Sequence, residues 1–216
     1  MENDVKRPYR STLREANAGA TRLAIVSAAG RLFIERGYVA TSIEAIAEAA
    51  GVSRATVFTS VGGKSVLLKK AYDIALVGDD VEVPLAQRAT SLAIKAEPDV
   101  VRFLDLYAGL IAEINRRLAG IYEAVRGAAS ADAEVREVFE KIQAERRIGS
   151  GRVIADVLSK GPLRPELTVE HAADILWVLN DAGLYHLLVQ RRGWTHDQFR
   201  AWLSASIRSQ LLALPA

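Results

Sequence analysis

The most constraining feature of this sequence is the spacing of three small or apolar residues within residues 43–59, IEAIAEAAGVSRATVFT. Ala47 is small enough to lie where one short helix crosses another, and Gly51 tolerates the positive φ of a tight turn. Val57 follows as an inward-facing apolar anchor, with Ile46 and Val52 supplying the flanking core. This spacing predicts a helix-turn-helix, in which two short helices pack at a steep angle.

Helical patterns with recognisable end signals flank this motif. Gly37 suits the left-handed position that follows a helix, and Ser53 suits the N-cap of the third helix. Thr41 and Glu44 have the spacing of a capping box at the start of the second helix, so we interpret Glu44 as a capping residue. The expected helices run from near Thr21 to Gly37, from Thr41 to Gly51, from Ser53 to about Thr59 and from about Lys64 to Val77.

After Gly78 the helical patterns become longer. No segment shows the sustained alternation of a strand, and no repeat of solenoid period is present, so the fold class is expected to be all-α. The predicted division is a flexible basic arm over 1–19, a helix-turn-helix domain over 20–77 and a helical domain over 78–216. In the last domain we expect helices over 85–95, 98–118, 121–127, 131–159, 168–191 and 195–213.

Composition argues against catalysis and cofactors. The chain of 216 residues has no cysteine, which excludes disulfides and thiolate sites, and its three scattered histidines argue against a zinc site. Gly63-Lys64-Ser65 ends like a phosphate-binding loop, but Phe58 stands where the first glycine is required. No nucleophile elbow or close pair of carboxylates stands out. We therefore expect neither an enzyme nor a bound cofactor.

Charge is distributed unevenly. Residues 1–77 hold 11 Lys and Arg against 7 Asp and Glu, a balance of +4, and residues 78–216 hold 17 against 19, a balance of −2. A basic N-terminal part fits a region that faces nucleic acid, although charge also fluctuates along any chain. The basic residues of 1–19 are compatible with a solvated tail or with an arm that touches phosphate or the minor groove.

No targeting or membrane segment is expected. Residues 1–20 contain no apolar core of a signal peptide. The most apolar stretch, 172–189, is interrupted by Asp174, Asn180, Asp181 and His186, which predicts a buried helix and not a membrane span. We expect a cytoplasmic protein without a membrane partner.

The helix-turn-helix resembles that of the tetracycline-repressor (TetR) family of bacterial transcriptional regulators. The resemblance covers roughly residues 20–75. It rests on Thr41-Ser42-Ile43, Ile46-Ala47, Gly51-Val52-Ser53-Arg54-Ala55-Thr56-Val57-Phe58 and Gly63-Lys64 with Leu67-Leu68 behind; the closing Arg192-Gly193-Trp194 and Trp202-Leu203 are also similar to many members. It implies an all-α homodimer that binds a near-palindromic double-stranded DNA operator.

The resemblance also implies which residues contact DNA. Arg54 would read a guanine, Thr41 and Ser42 would meet phosphates, and Lys64 would add charge at the start of the fourth helix. The sequence departs from the family pattern at Phe58, which replaces the usual tyrosine, and at Ser60 and Val61, which stand where a histidine and an aromatic or aliphatic residue often follow. For Arg54 a solvated surface role, and for Phe58 ordinary core packing, remain open. The full predicted set is Thr41, Ser42, Ser53, Arg54, Ala55, Thr56, Phe58, Thr59, Ser60 and Lys64.

The family resemblance implies a small-molecule effector that binds among the C-terminal helices. The helix expected over 98–118 is apolar on more than one face, as a buried helix is. Tyr107, Tyr122 and Trp177 would offer aromatic walls with polar groups, and Asn180 a directed hydrogen bond. The predicted ligand-binding residues are Phe103, Tyr107, Tyr122, Trp177 and Asn180. The alternative is that these residues only fill a core.

The last two helices are expected to form the dimer surface, with packing inside their own domain as the alternative. The residues predicted to form this surface are Ala172, Ile175, Leu176, Leu179, Ala182, Gly183, His186, Leu187, Phe199, Trp202, Leu203, Ile207, Leu211 and Leu212. The predicted function is a homodimeric repressor that a small, largely apolar ligand releases from its operator. The alternative is a DNA-binding regulator without a small-molecule effector, either gated by a protein partner or constitutive.

Overall fold

All the regular secondary structure in the computed structural model is helical over the described residues, which are 7–213 for the backbone and 17–213 for the side chains. The all-α fold class is therefore confirmed. The chain forms two compact units, one ending at Asp73 and the other beginning at Ile74.

The first unit contains three helices and the start of a fourth: α1 (Arg7–Arg36), α2 (Ile43–Ala49), α3 (Arg54–Ser60) and α4 (Lys64–Val77). Apolar side chains from all four are buried together, among them Ile25, Phe33, Ile46, Val57, Leu67 and Leu68. Helix α1 begins at Arg7, earlier than the predicted Thr21, so residues 7–19 are helical where a flexible arm was expected. The alanines of 15–20 and the tolerance of Pro8 in a first turn favour this extension. Residues 1–6 of the predicted arm lie outside the described residues.

The turns of this unit follow its glycines, as predicted. Gly37 has φ 81° and Gly51 has φ 68°, both in the left-handed region where a side chain is strained. The capping box predicted at Thr41 and Glu44 is wrong, because Ser42 is the N-cap of α2 and accepts a hydrogen bond from Ala45 N. Thr41 is instead buried, and this tertiary position moves the start of the helix by one residue.

The second unit holds the rest of the chain. A short 3₁₀ helix, Leu85–Gln87, precedes α5 (Ala89–Ala96), α6 (Val100–Ala128), α7 (Ala133–Leu158), α8 (Val169–Leu179), α9 (Ala182–Tyr185), a π-helical turn (His186–Arg191) and α10 (His196–Leu211). The two helices predicted over 98–118 and 121–127 are one continuous helix, since Gly120 lies inside α6. The helix predicted over 168–191 is broken, because Asp181 caps a new helix by accepting from Gly183 N.

Helix α6 is the central element of the second unit. It packs against α7, α9 and α10. Phe103, Leu104 and Ile121 of α6 are among the largest fully buried side chains, as are Ile142 and Ile154 of α7 and Phe199 of α10. No helix in the described part of the chain is both long enough and apolar enough to cross a membrane.

Candidate nucleic-acid interface and effector region

The helix-turn-helix framework has the geometry that its spacing predicts. Val57 and Ile46 are fully buried and Ala47 nearly so, so they form the contact between α2 and α3. The backbone N–H of Val52 donates to the Ala47 carbonyl at 3.0 Å, which closes the turn around Gly51. Val57 is the one buried residue of α3, and Arg54, Ala55, Phe58 and Thr59 of this helix are exposed.

The outward face of α3 carries most of the predicted DNA-binding residues. Ser53 caps the helix by accepting from Thr56 N at 3.1 Å, as predicted. Phe58 has 46% of its surface exposed, which argues against the core-packing alternative for its ring. The hydroxyls of Thr56 and Thr59 bond within the helix, to Ser53 Oγ and to the Ala55 carbonyl. Ser53, Arg54, Ala55, Phe58 and Thr59 are exposed, and Thr56 and Ser60 are half-buried.

Arg54 does not extend alone into solvent. Its Nη1 lies 2.9 Å from Glu44 Oε1, and its Cζ lies 5.6 Å from the centre of the Phe58 ring. A hydrogen bond from the backbone of Glu44 lowers the pKa of the Glu44 carboxyl, and the Arg54 charge and the Ser42 hydroxyl lower it further. Sequence reasoning assigned Glu44 only to capping and missed this pair, because its two residues belong to different helices.

The residues around the start of α2 and α4 have different environments. Thr41 is 1% exposed, and its hydroxyl bonds the Leu32 and Gly37 carbonyls at 3.2 and 2.8 Å. The predicted phosphate contact by the Thr41 side chain does not fit this buried position. Ser42 is exposed, as predicted for a phosphate contact. Lys64 is half-buried; its Nζ lies 3.4 Å from the Val39 carbonyl oxygen and 4.2 Å from the centre of the Tyr38 ring.

The predicted ligand-binding residues of the second unit bond to one another or to their own unit. Phe103 stacks on Tyr107 with ring centres 6.4 Å apart. Asn180 Nδ2 donates to the Tyr107 hydroxyl at 2.6 Å. Burial raises the pKa of the Tyr107 hydroxyl, so this group stays protonated. Tyr107 thus contacts both Phe103 and Asn180.

Tyr122 lies in a second polar cluster, which sequence reasoning missed. Its hydroxyl donates to Asp181 Oδ2 at 2.7 Å and accepts from Gln143 Nε2 at 2.9 Å. Arg146 completes the cluster, with Nη1 2.8 Å from Asp181 Oδ2 and Nη2 2.8 Å from the Trp177 carbonyl oxygen. Burial, followed by the Asp181 carboxylate, raises the pKa of Tyr122 to about 12. The cluster joins α6 and α7 to the segment between α8 and α9.

A partly open cleft of about 270 Å³ adjoins this cluster. Of the predicted ligand-binding residues only Trp177 lines it; Phe103, Tyr107, Tyr122 and Asn180 do not. Three side-chain atoms in this region are buried without a hydrogen-bond partner: Trp177 Nε1, Asn180 Oδ1 and Glu123 Oε1. The cleft is lined by Glu123, Arg126, Trp177, Val178, Asp181, Gly183, Leu184 and Leu187.

Most of the apolar residues predicted for a dimer surface lie in the core of their own unit. Ala182 is buried, and a side chain at Gly183 would meet the Asp181 carboxylate oxygen at 2.8 Å. The other buried members are Ala172, Leu176, Phe199, Leu203, Ile207, Leu211 and Leu212. The predicted helix is interrupted at Asn180 and Asp181, so a stripe drawn over one continuous helix does not hold. Leu187 remains more than half exposed, and so is Val178 beside it at the rim of the cleft.

The proteins to which this chain is similar include transcriptional regulators with a helix-turn-helix. Residues 25–71 match the family model of bacterial regulatory proteins, tetR family. The uncharacterised HTH-type transcriptional regulator YdeS of Bacillus subtilis (strain 168) is 26% identical over 73% of this chain and 74% of its own. The structure of NalD from Pseudomonas aeruginosa, the secondary repressor of the MexAB-OprM multidrug efflux pump, superposes with a TM-score of 0.67 at 22% identity, covering 90% of this chain and 98% of that one. A putative transcriptional regulator from Saccharomonospora viridis, in complex with choline, has a TM-score of 0.66 at 19% identity, covering 91% and 100%.

The class of protein that the helix-turn-helix and the relatives indicate is the DNA-binding transcriptional regulators: the matched family model and YdeS both describe such proteins. The structural neighbours share its fold from the helix-turn-helix to the C-terminal helices. The chain is thus similar to TetR-type regulators, over residues 25–71 in sequence and over about nine-tenths of its length in fold.

Proposed function

We propose that this protein is a DNA-binding transcriptional regulator, a homodimeric repressor that places α3 of each subunit in the major groove of a near-palindromic operator. The observation that carries this proposal is the outward face of α3, where Arg54 and Phe58 are exposed above the buried Val57. One such helix reads few bases, so a two-fold dimer that reads two half-sites is needed to recognise a longer sequence. As a DNA-binding regulator it would act in the cytoplasm.

The residues of this face divide by chemistry. Arg54 would donate two hydrogen bonds to guanine, and the Phe58 ring would pack on a thymine methyl. Ala55 has a small side chain that permits close approach to the groove. Phosphate contacts would come from the remaining predicted residues except Thr41, namely Ser42, Ser53, Thr56, Thr59, Ser60 and Lys64.

Arg54 and Lys64 distinguish base reading from phosphate binding. Arg54→Ala should cost roughly 1–3 kcal/mol of binding free energy on the preferred DNA and should relax the sequence preference at one base pair. Lys64→Ala should weaken binding to all DNA sequences alike. It should also lower the slope of log binding constant against log salt concentration by about 1. Titrations against selected and scrambled duplexes at several salt concentrations measure both effects. Arg152→Ala, an exposed arginine of α7, is the matched control for charge loss. If Arg54→Ala retains the parent's discrimination, Arg54 is not the reading residue.

We also propose that a small, largely apolar ligand binds beside Trp177 and weakens DNA binding. Two residues that line the cleft support this: Trp177 Nε1 and Glu123 Oε1 are buried without a hydrogen-bond partner, and buried polar atoms require one. Release would pass through α4, whose last carbonyls, at Ala75 and Leu76, accept hydrogen bonds from Arg117 of α6. A ligand that moves α6 would thereby change the C-terminal turn of α4, provided that it binds the two conformers unequally.

The alternative of a regulator without a small-molecule effector also has support, because Tyr107 and Asn180, two of the predicted ligand-binding residues, bond each other. Fluorescence of Trp177, in a variant with Trp194 and Trp202 replaced by phenylalanine, distinguishes the two during titration with a lipophilic ligand library. A response of Trp177 that parallels loss of DNA binding supports the effector. Ligands that neither shift the fluorescence nor raise the melting temperature favour the alternative.

The dimer would form around the exposed Val178 and Leu187. Val178→Lys and Leu187→Lys should shift the protein to monomer in light scattering, because each places a charge in an apolar contact. Leu92→Lys, at a residue of α5 that is equally exposed, is the control and should leave the dimer intact. A monomeric parent protein would contradict this proposal.

A further inference from the structure

The ion pair between Glu44 and Arg54 joins the two helices of the helix-turn-helix on their exposed side. Glu44 lies in the first turn of α2 and Arg54 is the first residue of α3. The Nη1–Oε1 distance is 2.9 Å, and the two side chains are 63% and 59% exposed for Arg54 and Glu44. The pair therefore lies on the same surface as Phe58, where the reading face is proposed.

Groups of the protein itself favour the ionised form of the Glu44 carboxyl before DNA binds. The backbone hydrogen bond and the Ser42 hydroxyl, together with the Arg54 charge, lower the pKa of Glu44. An ionised carboxylate near a phosphate backbone is repelled unless a cation neutralises it, and Arg54 supplies that cation. Its presence on this surface is therefore explained by its arginine partner and needs no contact with DNA.

The two contacts of Arg54 restrict its guanidinium. Glu44 accepts from Nη1, and the Phe58 ring lies 5.6 Å from Cζ. A guanidinium has five N–H donors in a rigid fork, and a guanine contact uses two of them in parallel. Holding one edge of the fork leaves the other N–H groups with a defined direction, which a freely rotating side chain lacks.

We propose that Glu44 is a positioning residue for base recognition. Its carboxylate holds the Arg54 guanidinium so that the remaining N–H groups meet one guanine, and it strengthens the preference for that base pair without itself contacting DNA. This inference rests on the proposed function, in which α3 reads the major groove.

The test compares base preferences of single variants. A randomised duplex library is enriched by repeated binding to the parent protein, and the preference at each base pair of the enriched duplex is then measured. Arg54→Ala should relax the preference for G·C at one base pair. Glu44→Gln should relax the same pair by about two- to fivefold, which is the size that an exposed ion pair supplies. Glu44→Asp, which keeps the charge but shortens the reach, should give an intermediate loss at that pair.

Two controls separate positioning from charge. Glu48→Gln removes the same charge from an exposed residue of α2 and should leave every base preference unchanged. In the Arg54→Ala background, Glu44→Gln should have no further effect on the preference. Circular dichroism shows whether each variant keeps its helices. If the Glu44→Gln variant loses helix, the Glu44→Asp variant provides the test instead.

Three results would overturn the proposal. If Glu44→Gln relaxes a different base pair from Arg54→Ala, Glu44 reads a base itself. If Glu44→Gln and Glu48→Gln both change the affinity for all DNA sequences alike, the effect is only one of charge. If Arg54→Ala relaxes one pair and neither Glu44 variant does, positioning fails while the proposed function stands. Absence of any enriched sequence would instead remove the proposed function, and the inference with it.

Discussion

The cluster of Tyr122, Arg146 and Asp181 gives the sharpest prediction about stability in the second unit. Asp181→Asn keeps the N-cap of α9, because asparagine and aspartate cap about equally well and one oxygen can still accept from Gly183 N. The new amide group, however, turns an N–H donor toward Arg146 Nη1 and the Tyr122 hydroxyl. Arg146 is thus left without its counter-ion.

The expected cost follows from the exposure of the pair. Removing one partner of a fully buried ion pair costs about 3–5 kcal/mol. The Arg146 and Asp181 side chains are 15% and 29% exposed, so solvent screens part of that cost. The Tyr122 hydroxyl also loses its acceptor, at about 1 kcal/mol. We expect Asp181→Asn to lower the free energy of unfolding of this unit by roughly 2–3 kcal/mol.

Asp174→Asn is the matched control. It is the same chemical change in α8, but the Arg147–Asp174 pair is 3.2 Å long and its side chains are 67% and 45% exposed. Exposed pairs contribute about 0–1 kcal/mol. All three tryptophans lie after Ile74, so urea unfolding followed by tryptophan fluorescence at fixed protein concentration reports on this unit. If Asp181→Asn costs no more than Asp174→Asn, the cluster is a set of solvated pairs and the reasoning is refuted.

Three further predictions concern other parts of the chain. Thr41→Val should destabilise the protein by about 1–3 kcal/mol in thermal unfolding, because it removes the hydroxyl bonded to the Leu32 and Gly37 carbonyls; an unchanged melting temperature would contradict this. Gly51→Ala should cost about 1–2 kcal/mol because of its φ of 68°, whereas Gly63→Ala, with open space and no positive φ, should be nearly neutral. Hydrogen bonding to Arg88 lowers the pKa of Asp79 from 3.8 to about 2, so the stability it contributes is present above pH 3.8 and is lost as pH falls toward 2. Asp79→Asn should remove that part of the acid dependence, and parent and variant with identical acid unfolding profiles would show that it does not exist.

Local backbone requirements made the helix-turn-helix predictable from its sequence. Gly37 and Gly51 lie at positive φ, Ser53 caps α3 and Val57 is buried, all as their spacing indicates. Each of these features depends on neighbours within a few residues, so the sequence contains the information directly. The absence of alternating segments likewise predicts the all-α class, because half-buried strands show that period.

Other features depended on contacts between distant segments. Thr41 and Ser42 are both good N-caps, and burial of Thr41 against the end of α1 decides that Ser42 starts α2. Gly120 is kept inside α6 because neighbouring helices bury that helix, and burial outweighs the roughly 1 kcal/mol helix penalty of glycine. Asp181 could be read from sequence as an interruption, but its role as an N-cap and ion-pair partner requires Arg146 from another helix.

The apolar residues of the last helices show the same limit most clearly. Periodicity identifies Leu176, Leu203 and Ile207 as an inward face, but it does not say whether the surface they meet belongs to the same chain or to a second copy. The tertiary structure places them in their own core and leaves Val178 and Leu187 outside. In the first unit it likewise brings Glu44 to Arg54, across a turn that the sequence predicts but whose side-chain pairing depends on how α2 and α3 cross.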